Sequence, residues 1–341
     1  WAAVKAMVAS WPWPCLNLAS LMSNMQPSGP TVMLNVFRML EVLVDQGPRH
    51  AAGQLSVLWP TAPVEEAEPE YSVSFEDLQE TDPTYGFWRR EDFYSSTPCQ
   101  PPLADVKLVG DLSFQETEWN ALLTFLTWRV KQVKVLPLIC CQNLSFSDDL
   151  PGHRVIQKIL ENVQLDGVKE LRIHHTLKRN LLSLLAPYLC RMVNLNTLEL
   201  QSLTARDWTL TQRSLDKERA KKLGSIFTEF TSQLTHLRQL QHLLLIDLYV
   251  CGNIHRFLRY LETPLESLTI STFYFFVENS DLESLSLYPC TSRLRALNFS
   301  STNLASLNPE LLRVAIDRTS ATLERLDLSD CRLKDSHLDT I

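Results

Sequence analysis

The sequence predicts an α/β solenoid in which parallel strands line a concave face and helices cover a convex one. Three observations lead there. First, the stretch LERLDLSDCRL at 323–333 places leucines at offsets 0, 3, 5 and 10 (Leu323, Leu326, Leu328, Leu333), with Cys331 at offset 8. That is the spacing of a leucine-rich repeat. Second, the template recurs upstream. It fits Leu294, Leu297, Phe299 and Leu304 with Thr302 at the turn; Leu265, Leu268, Ile270 and Phe275 with Phe273; and Leu240, Leu243, Leu245 and Val250 with Leu248. Leu195, Leu198 and Leu200 fit with Leu203, and weaker copies start at Val168 and Val135, the last with Asn143 at its turn. Counted back from Leu323, successive starts lie about 29, 29, 25, 45, 27 and 33 residues apart, against about 20–29 for such repeats. Third, segments of helical period separate the strands. A single repeat cannot bury its own leucines, so stacking is required. Strands stack about 4.8 Å apart while helices need about 10 Å, so the stack bends into a horseshoe with the strands inside.

Taken in order, WAAVKAMVASW has Trp1, Val4, Val8 and Trp11 at helical spacing, and Pro12 and Pro14 end it. A second helix is expected over 31–46 through Leu34, Phe37, Leu40 and Val44, stopped at Gly47 and Pro48. GQLSVLWP then offers Leu55 and Leu58, but Pro60 stands at offset 5 with no N–H for a ladder, which reads as an eroded or edge first repeat. Residues 1–60 thus form an N-terminal helical segment with that first repeat. Residues 61–103 carry six prolines and read as a mobile acidic loop. Its aromatics Tyr85, Phe87, Trp88, Phe93 and Tyr94 fit local packing better than a partner-binding motif. Residues 104–341 are the repeat domain. ADVKLVGDLSF reads as a short strand and EWNALLTFLTWRVKQV as a helix before the Val135 strand. HRVIQKILENV and RNLLSLLAPYLCRMV are the next helices, an inserted polar loop occupies about 205–218, and shorter helices fall near 254–261, 281–287 and 307–318.

Charge and cysteines narrow the function. The net charge is -7, but ten acidic residues against two basic ones between Thr61 and Gln100 account for it. The rest is near neutral and has no basic stripe for nucleic acid. No apolar run is long enough for a membrane span. The eight cysteines form no C-x-x-C pair, which favours a reducing compartment, cytoplasm or nucleus. The chain starts at Trp1 rather than methionine and stops inside a repeat unit, as an internal piece of a longer protein would. Such an end should leave repeat leucines uncovered and the fragment poorly soluble.

Chemistry-bearing patterns are few. His174 and His175 point to opposite faces of a strand and cannot jointly chelate. Asp148 and Asp149 lie beside Pro151 in a turn. There is no phosphate loop, G-x-S-x-G or H-E-x-x-H motif, so neither an enzyme nor a cofactor site is expected. Two L-x-x-L-L strings, Leu181–Leu185 and Leu240–Leu244, match a receptor-docking pattern but are explained by core leucines. The remaining candidate is the concave face, where offsets 2, 4 and 6 alternate with the buried leucines. It offers Glu170, Arg172, His174, Glu199, Gln201, His242, Leu244, Ile246, Thr269, Asn298, Arg325 and Asp327. That mixed polar surface, with one apolar spot at Leu244 and Ile246, suits a protein ligand, held by a few of these residues.

Five stretches carry a resemblance: VKAMVASWPWPCLNLASLM (4–22), LICCQNLSF (138–146), LLAPYLCRMVNLNTLEL (184–200), FTEFTSQLTHLRQLQHLLL (227–245) and SATLERLDLSDCRLKDSHLDTI (320–341). In these phrases the chain resembles the PRAME family, leucine-rich-repeat proteins related to the preferentially expressed antigen in melanoma. The 61–103 loop has no counterpart, and GQLSVLWP only hints at the family's first repeat. The resemblance implies a substrate receptor of cullin-RING ubiquitin ligases, with a protein target on the repeats. Elongins B and C and the cullin would be held by a helical box upstream of Trp1. It also implies roles in transcriptional repression, including at retinoic acid receptors, and in proliferation, differentiation and apoptosis. A repressor scaffold acting without ubiquitin transfer is the alternative. A tight inhibitor like ribonuclease inhibitor would need a more regular array and, for a basic enzyme, a strongly acidic face.

Overall fold

In the computed structural model the described residues are 15–18, 30–45, 55–59, 106–114, 121–147, 150–174, 181–201, 227–248, 254–272 and 277–338. The readings of a helix at 1–11, of the 61–103 loop and of the 205–218 insertion fall outside them. The chain divides into two compact units, one of 1–141 with 149–164, the other of 142–148 with 165–341.

The first unit holds strands β1 (Cys15–Asn17), β2 (Leu55–Leu58), β3 (Val106–Val109), β4 (Leu112–Phe114) and β5 (Leu138–Cys140). Its helices are α1 (Pro30–Asp45), α2 (Ala121–Lys131) and α3 (His153–Leu160). β1, β2, β3 and β5 lie side by side, all parallel. The edge expected at Leu55–Leu58 is therefore an interior strand, paired on both sides. Pro60 does not interrupt it because the strand ends at Leu58, and the Trp59 N–H still donates to the Val109 carbonyl at 2.7 Å. The single strand expected around 106–114 is two, β3 and β4, separated at Gly110. A Cβ on that glycine would stand 2.7 Å from Trp59 Cβ, so the bend depends on the missing side chain.

The second unit holds β6 (Asn143–Phe146), β7 (Glu170–His174), β8 (Thr197–Gln201), β9 (His242–Ile246), β10 (Ser267–Ser271), β11 (Ala296–Asn298) and β12 (Arg325–Asp327). They pair in chain order, every pair parallel. Between them run helices α4 (Leu181–Leu189), α5 (His255–Leu258), α6 (Asn279–Leu287) and α7 (Pro309–Thr319), with α8 (Asp335–Leu338) last. This is a solenoid-like α/β arrangement of parallel strands and intervening helices.

The register follows the leucine spacing. Leu171, Leu198, Leu243, Leu268 and Leu297 occupy offset 3 in adjacent strands and are fully buried, as are Ile173, Leu200, Leu245, Ile270 and Phe299 at offset 5. One backbone device repeats with them. The carbonyl at offset 1 of each repeat (Gln142, Lys169, Asn196, Gln241, Glu266, Arg295) accepts two successive N–H groups from the next repeat at 2.8–3.1 Å. Counting from Gln142 corrects the weakest copy. Its buried set is Cys141, Leu144 and Phe146, not Val135, Leu138 and Cys140; Leu138–Cys140 is a strand of the first sheet, and Asn143, expected at a turn, pairs with Glu170. Two apolar pairs lie close together there, and the template took the wrong one.

Offsets 7 and 8 shape the strand ends in three of the repeats. Asp247, Ser301 and Asp330 share offset 7 and all have positive φ (49°, 62° and 56°), which Asp tolerates better than branched residues. At offset 8 the Thr302 hydroxyl donates to the Ile270 carbonyl at 3.0 Å and accepts from the Thr272 N–H at 3.2 Å, and the Cys331 thiol lies 2.9 Å from the Phe299 carbonyl it donates to. Both carbonyls belong to offset 5 of the preceding repeat. In these two repeats the turn residue is a polar link to the preceding repeat, whereas Leu248 at the same offset is a buried apolar side chain.

Candidate protein-binding face of the second sheet

Alternation along a strand sends offsets 3 and 5 inward and leaves offsets 2, 4 and 6 outward. All twelve expected face residues lie on that outward side. Arg172, Arg325 and Asp327 are exposed, and Glu170, His174, Glu199, Gln201, His242, Leu244, Ile246, Thr269 and Asn298 are half-buried.

Four of them are brought into one charged chain. Arg172 Nη2 donates to Glu170 Oε2 at 2.8 Å, and its Nε lies 3.6 Å from Glu199 Oε2. His174 Nε2 lies 3.1 Å from Glu199 Oε1. Register explains the meeting, since Arg172 and Glu199 are direct partners on β7 and β8. The His174 hydrogen bond, helped by the charges of His174 and Arg172, holds the Glu199 carboxyl below the usual carboxylate range against the opposing effect of partial burial.

Beside this chain the face changes character. Leu244 stands opposite Glu199 on one side and Thr269 on the other, and Ile246 stands opposite Gln201. His242 Nδ1 lies 2.8 Å from Ser267 Oγ. At the far end Asn298 and Asp327 are engaged in their own backbone. Asn298 Oδ1 accepts from the Ser300 N–H at 2.7 Å, and Asp327 Oδ1 accepts from the Ser329 N–H at 3.0 Å and the Ser329 hydroxyl at 2.7 Å, which lowers the Asp327 pKa. Their position ends the strand as much as it decorates the face. Sequence reasoning left Asn143 and Ser145 off this face because of the Val135 register, although they pair with Glu170 and Arg172. Ser267 shares offset 2 with His242, and its place directly against His242 becomes visible only with the register of β9 and β10.

The other sequence candidates go to the interior. Leu181, Leu185, Leu240 and Leu243 of the two L-x-x-L-L strings are buried. The described cysteines Cys15, Cys140, Cys141, Cys190, Cys290 and Cys331 are free thiols. Burial pushes the Cys141 thiol up to about 12 and the Cys290 thiol up to about 11, and raises that of Cys331. These are not nucleophiles. Among the described residues no group of three His, Cys, Asp or Glu side chains is placed to hold a metal, and no helix is long and apolar enough to cross a membrane. What the face offers is non-covalent: an ion-pair cluster, two adjoining aliphatic side chains and a field of hydroxyls.

The family model of the PRAME C-terminal domain matches residues 106–341. Preferentially expressed antigen in melanoma-like protein 1 of Mus musculus is 31% identical over 99% of this chain and 69% of its own length. PRAME family member 12 of Homo sapiens is 30% identical over 99% of the chain and 66% of its own length. The chain therefore spans about two thirds of the curated relatives it matches. A Bacteroides fragilis protein of known crystal structure overlays 67% of each chain with a TM-score of 0.39 and 12% identity, too distant to inform fold or function. A family model over the whole second unit and most of the described first unit, with relatives of the same name along nearly the full length, places this chain in the PRAME family.

Proposed function

We propose that this chain is the target-binding part of a non-catalytic substrate adaptor for a cullin-RING ubiquitin ligase, and that it holds a protein target on the outward face of β7–β12. The observation that carries the recognition half is the in-register row of outward side chains, where the Glu170–Arg172–Glu199–His174 chain adjoins Leu244 and Ile246. A few such groups around an apolar centre are the usual anatomy of a protein-binding hot spot. The ligase half rests on family membership, and elongins B and C with a cullin are the partners it implies. In the same reading the repeats are of the leucine-rich type. The buried apolar residues at offsets 0, 3 and 5, and the Thr302 and Cys331 links at offset 8, support it.

The test is affinity capture of the full-length protein from cells, scored for elongin B, elongin C and a cullin, together with the abundance of co-captured proteins after proteasome inhibition. Elongin and cullin in the capture, and proteins that accumulate and are lost with Leu244→Asp, are expected. A capture free of elongins and cullin would leave the chain a recognition platform outside ubiquitin transfer.

A further inference from the structure

The outward positions of β7 and β8 carry two carboxylates, Glu170 and Glu199, against one guanidinium, Arg172, which both of them already engage, and one imidazole, His174, which engages Glu199; counted with neutral histidine the cluster holds one carboxylate charge in excess. The outward positions of β9, β10 and β11 carry no acid, lysine or arginine. The border between the two zones is sharp, because Glu199 and Leu244 are register partners on adjacent strands, about 4.8 Å apart along the sheet. Leu244 and Ile246 are two residues apart on one strand, so their side chains emerge on the same face about 7 Å apart. Glu199 is held at both oxygens, Oε1 by His174 and Oε2 by Arg172, so little side-chain freedom remains to be lost on binding.

Deepening the proposed recognition role and resting on it, we infer that this border selects a protein segment in which an aliphatic side chain stands next to a lysine or arginine. The aliphatic group covers Leu244 and Ile246, and the cation meets the excess carboxylate charge at Glu199 and Glu170. An acidic segment or nucleic acid would bring negative charge to a cluster that already has an excess of it. Two half-buried aliphatic side chains are too small a patch to insert into a lipid surface.

The test is selection from a displayed library of random dodecapeptides on the whole chain. The fold of each variant is checked by circular dichroism and thermal midpoint. Enriched peptides should pair Leu, Ile, Val or Met with a neighbouring Lys or Arg. Binding should fall by roughly tenfold or more with Glu199→Lys and with Leu244→Asp, and Leu244→Ser serves as a second variant should the aspartate impair folding. A peptide whose selected Lys or Arg is changed to Glu should regain binding to Glu199→Lys. Peptides that need Leu244 but carry no basic residue, or ignore Glu199→Lys, overturn this inference and leave the sheet-face reading standing. Peptides insensitive to Leu244 and Glu199 variants alike overturn both, and a selection that enriches nothing overturns this inference.

Discussion

Single side chains do the joining between repeats. Thr302 satisfies one carbonyl and one N–H of the preceding repeat, both buried. Thr302→Val keeps the shape and removes the hydroxyl, so it should cost about 1–3 kcal/mol, read as a loss in urea-unfolding free energy. Glu199 makes stability depend on acid. Its carboxyl is held below the ordinary range in the folded chain, so its contribution is complete above the ordinary carboxylate pKa and is lost as pH falls through the lowered value. The thermal midpoint of Glu199→Gln should therefore drop less steeply on acidification than that of the unaltered chain. The thiols divide by burial. In the native chain an alkylating reagent should label Cys15 and Cys190 and spare Cys141, Cys290 and Cys331, as peptide mass spectrometry would show; rapid labelling of Cys290 would contradict that burial. At this scale the sequence was partly legible. The outward place of Arg172 and Glu199 follows from alternation alone. Their ion pair does not, because it needs the register that sets residues on separate repeats side by side.

Elements show where local pattern and tertiary context diverge. The strands β7–β12 were legible because their apolar residues recur on one template, and neighbouring copies support one another. The first sheet was less so. Its strands come from 15–17, 55–58, 106–109 and 138–140, too irregular in spacing and composition for a template to catch. Cys15–Asn17 lies after the helix expected to stop at Pro12 and Pro14, and no element is expected there from the sequence, because nothing local marks a strand of that length. The end of α2 has its own irregularity. Val133 has φ 55°, and the Val133 and Lys134 N–H groups return to the Val130 and Arg129 carbonyls, the Schellman closure that normally takes glycine. Val133 is 93% exposed, so Val133→Gly loses little packing and should stabilise the first unit by about 1 kcal/mol. Gly110→Ala should do the opposite by about 1–3 kcal/mol, because its methyl would meet Trp59. Paired thermal unfolding curves of the two variants check both signs.

On the scale of the molecule, each unit has its own means of cohesion. In the first, α1 and α2 are tied by Arg129, which is buried and donates to Asp45 Oδ1 at 2.8 Å and to the Val135 carbonyl at 2.7 Å, and by Lys134, which pairs with Glu41 at 2.5 Å. In the second, each repeat leans on its neighbours. β9 is covered on both sides, whereas Leu326 on β12 is only half-buried although its equivalents on β7–β11 are buried. Amide exchange in this chain should accordingly be slowest at Leu243 and Leu245 and fastest in β12, and a uniform profile across the strands would refute a neighbour-by-neighbour account. The long step between β8 and β9 has a further consequence. About 45 residues separate the two template starts where other neighbours need 25–29, yet Glu199 still meets Leu244 and Gln201 still meets Ile246. Closing a longer connection costs only about 0.6 kcal/mol per doubling, so the connecting segment and the facing side chains are free to diverge separately. On the proposed recognition reading, a lineage of such chains can exchange one target for another by point changes at the outward positions, or by lengthening one connection, while the hydrogen-bonded frame beneath is kept.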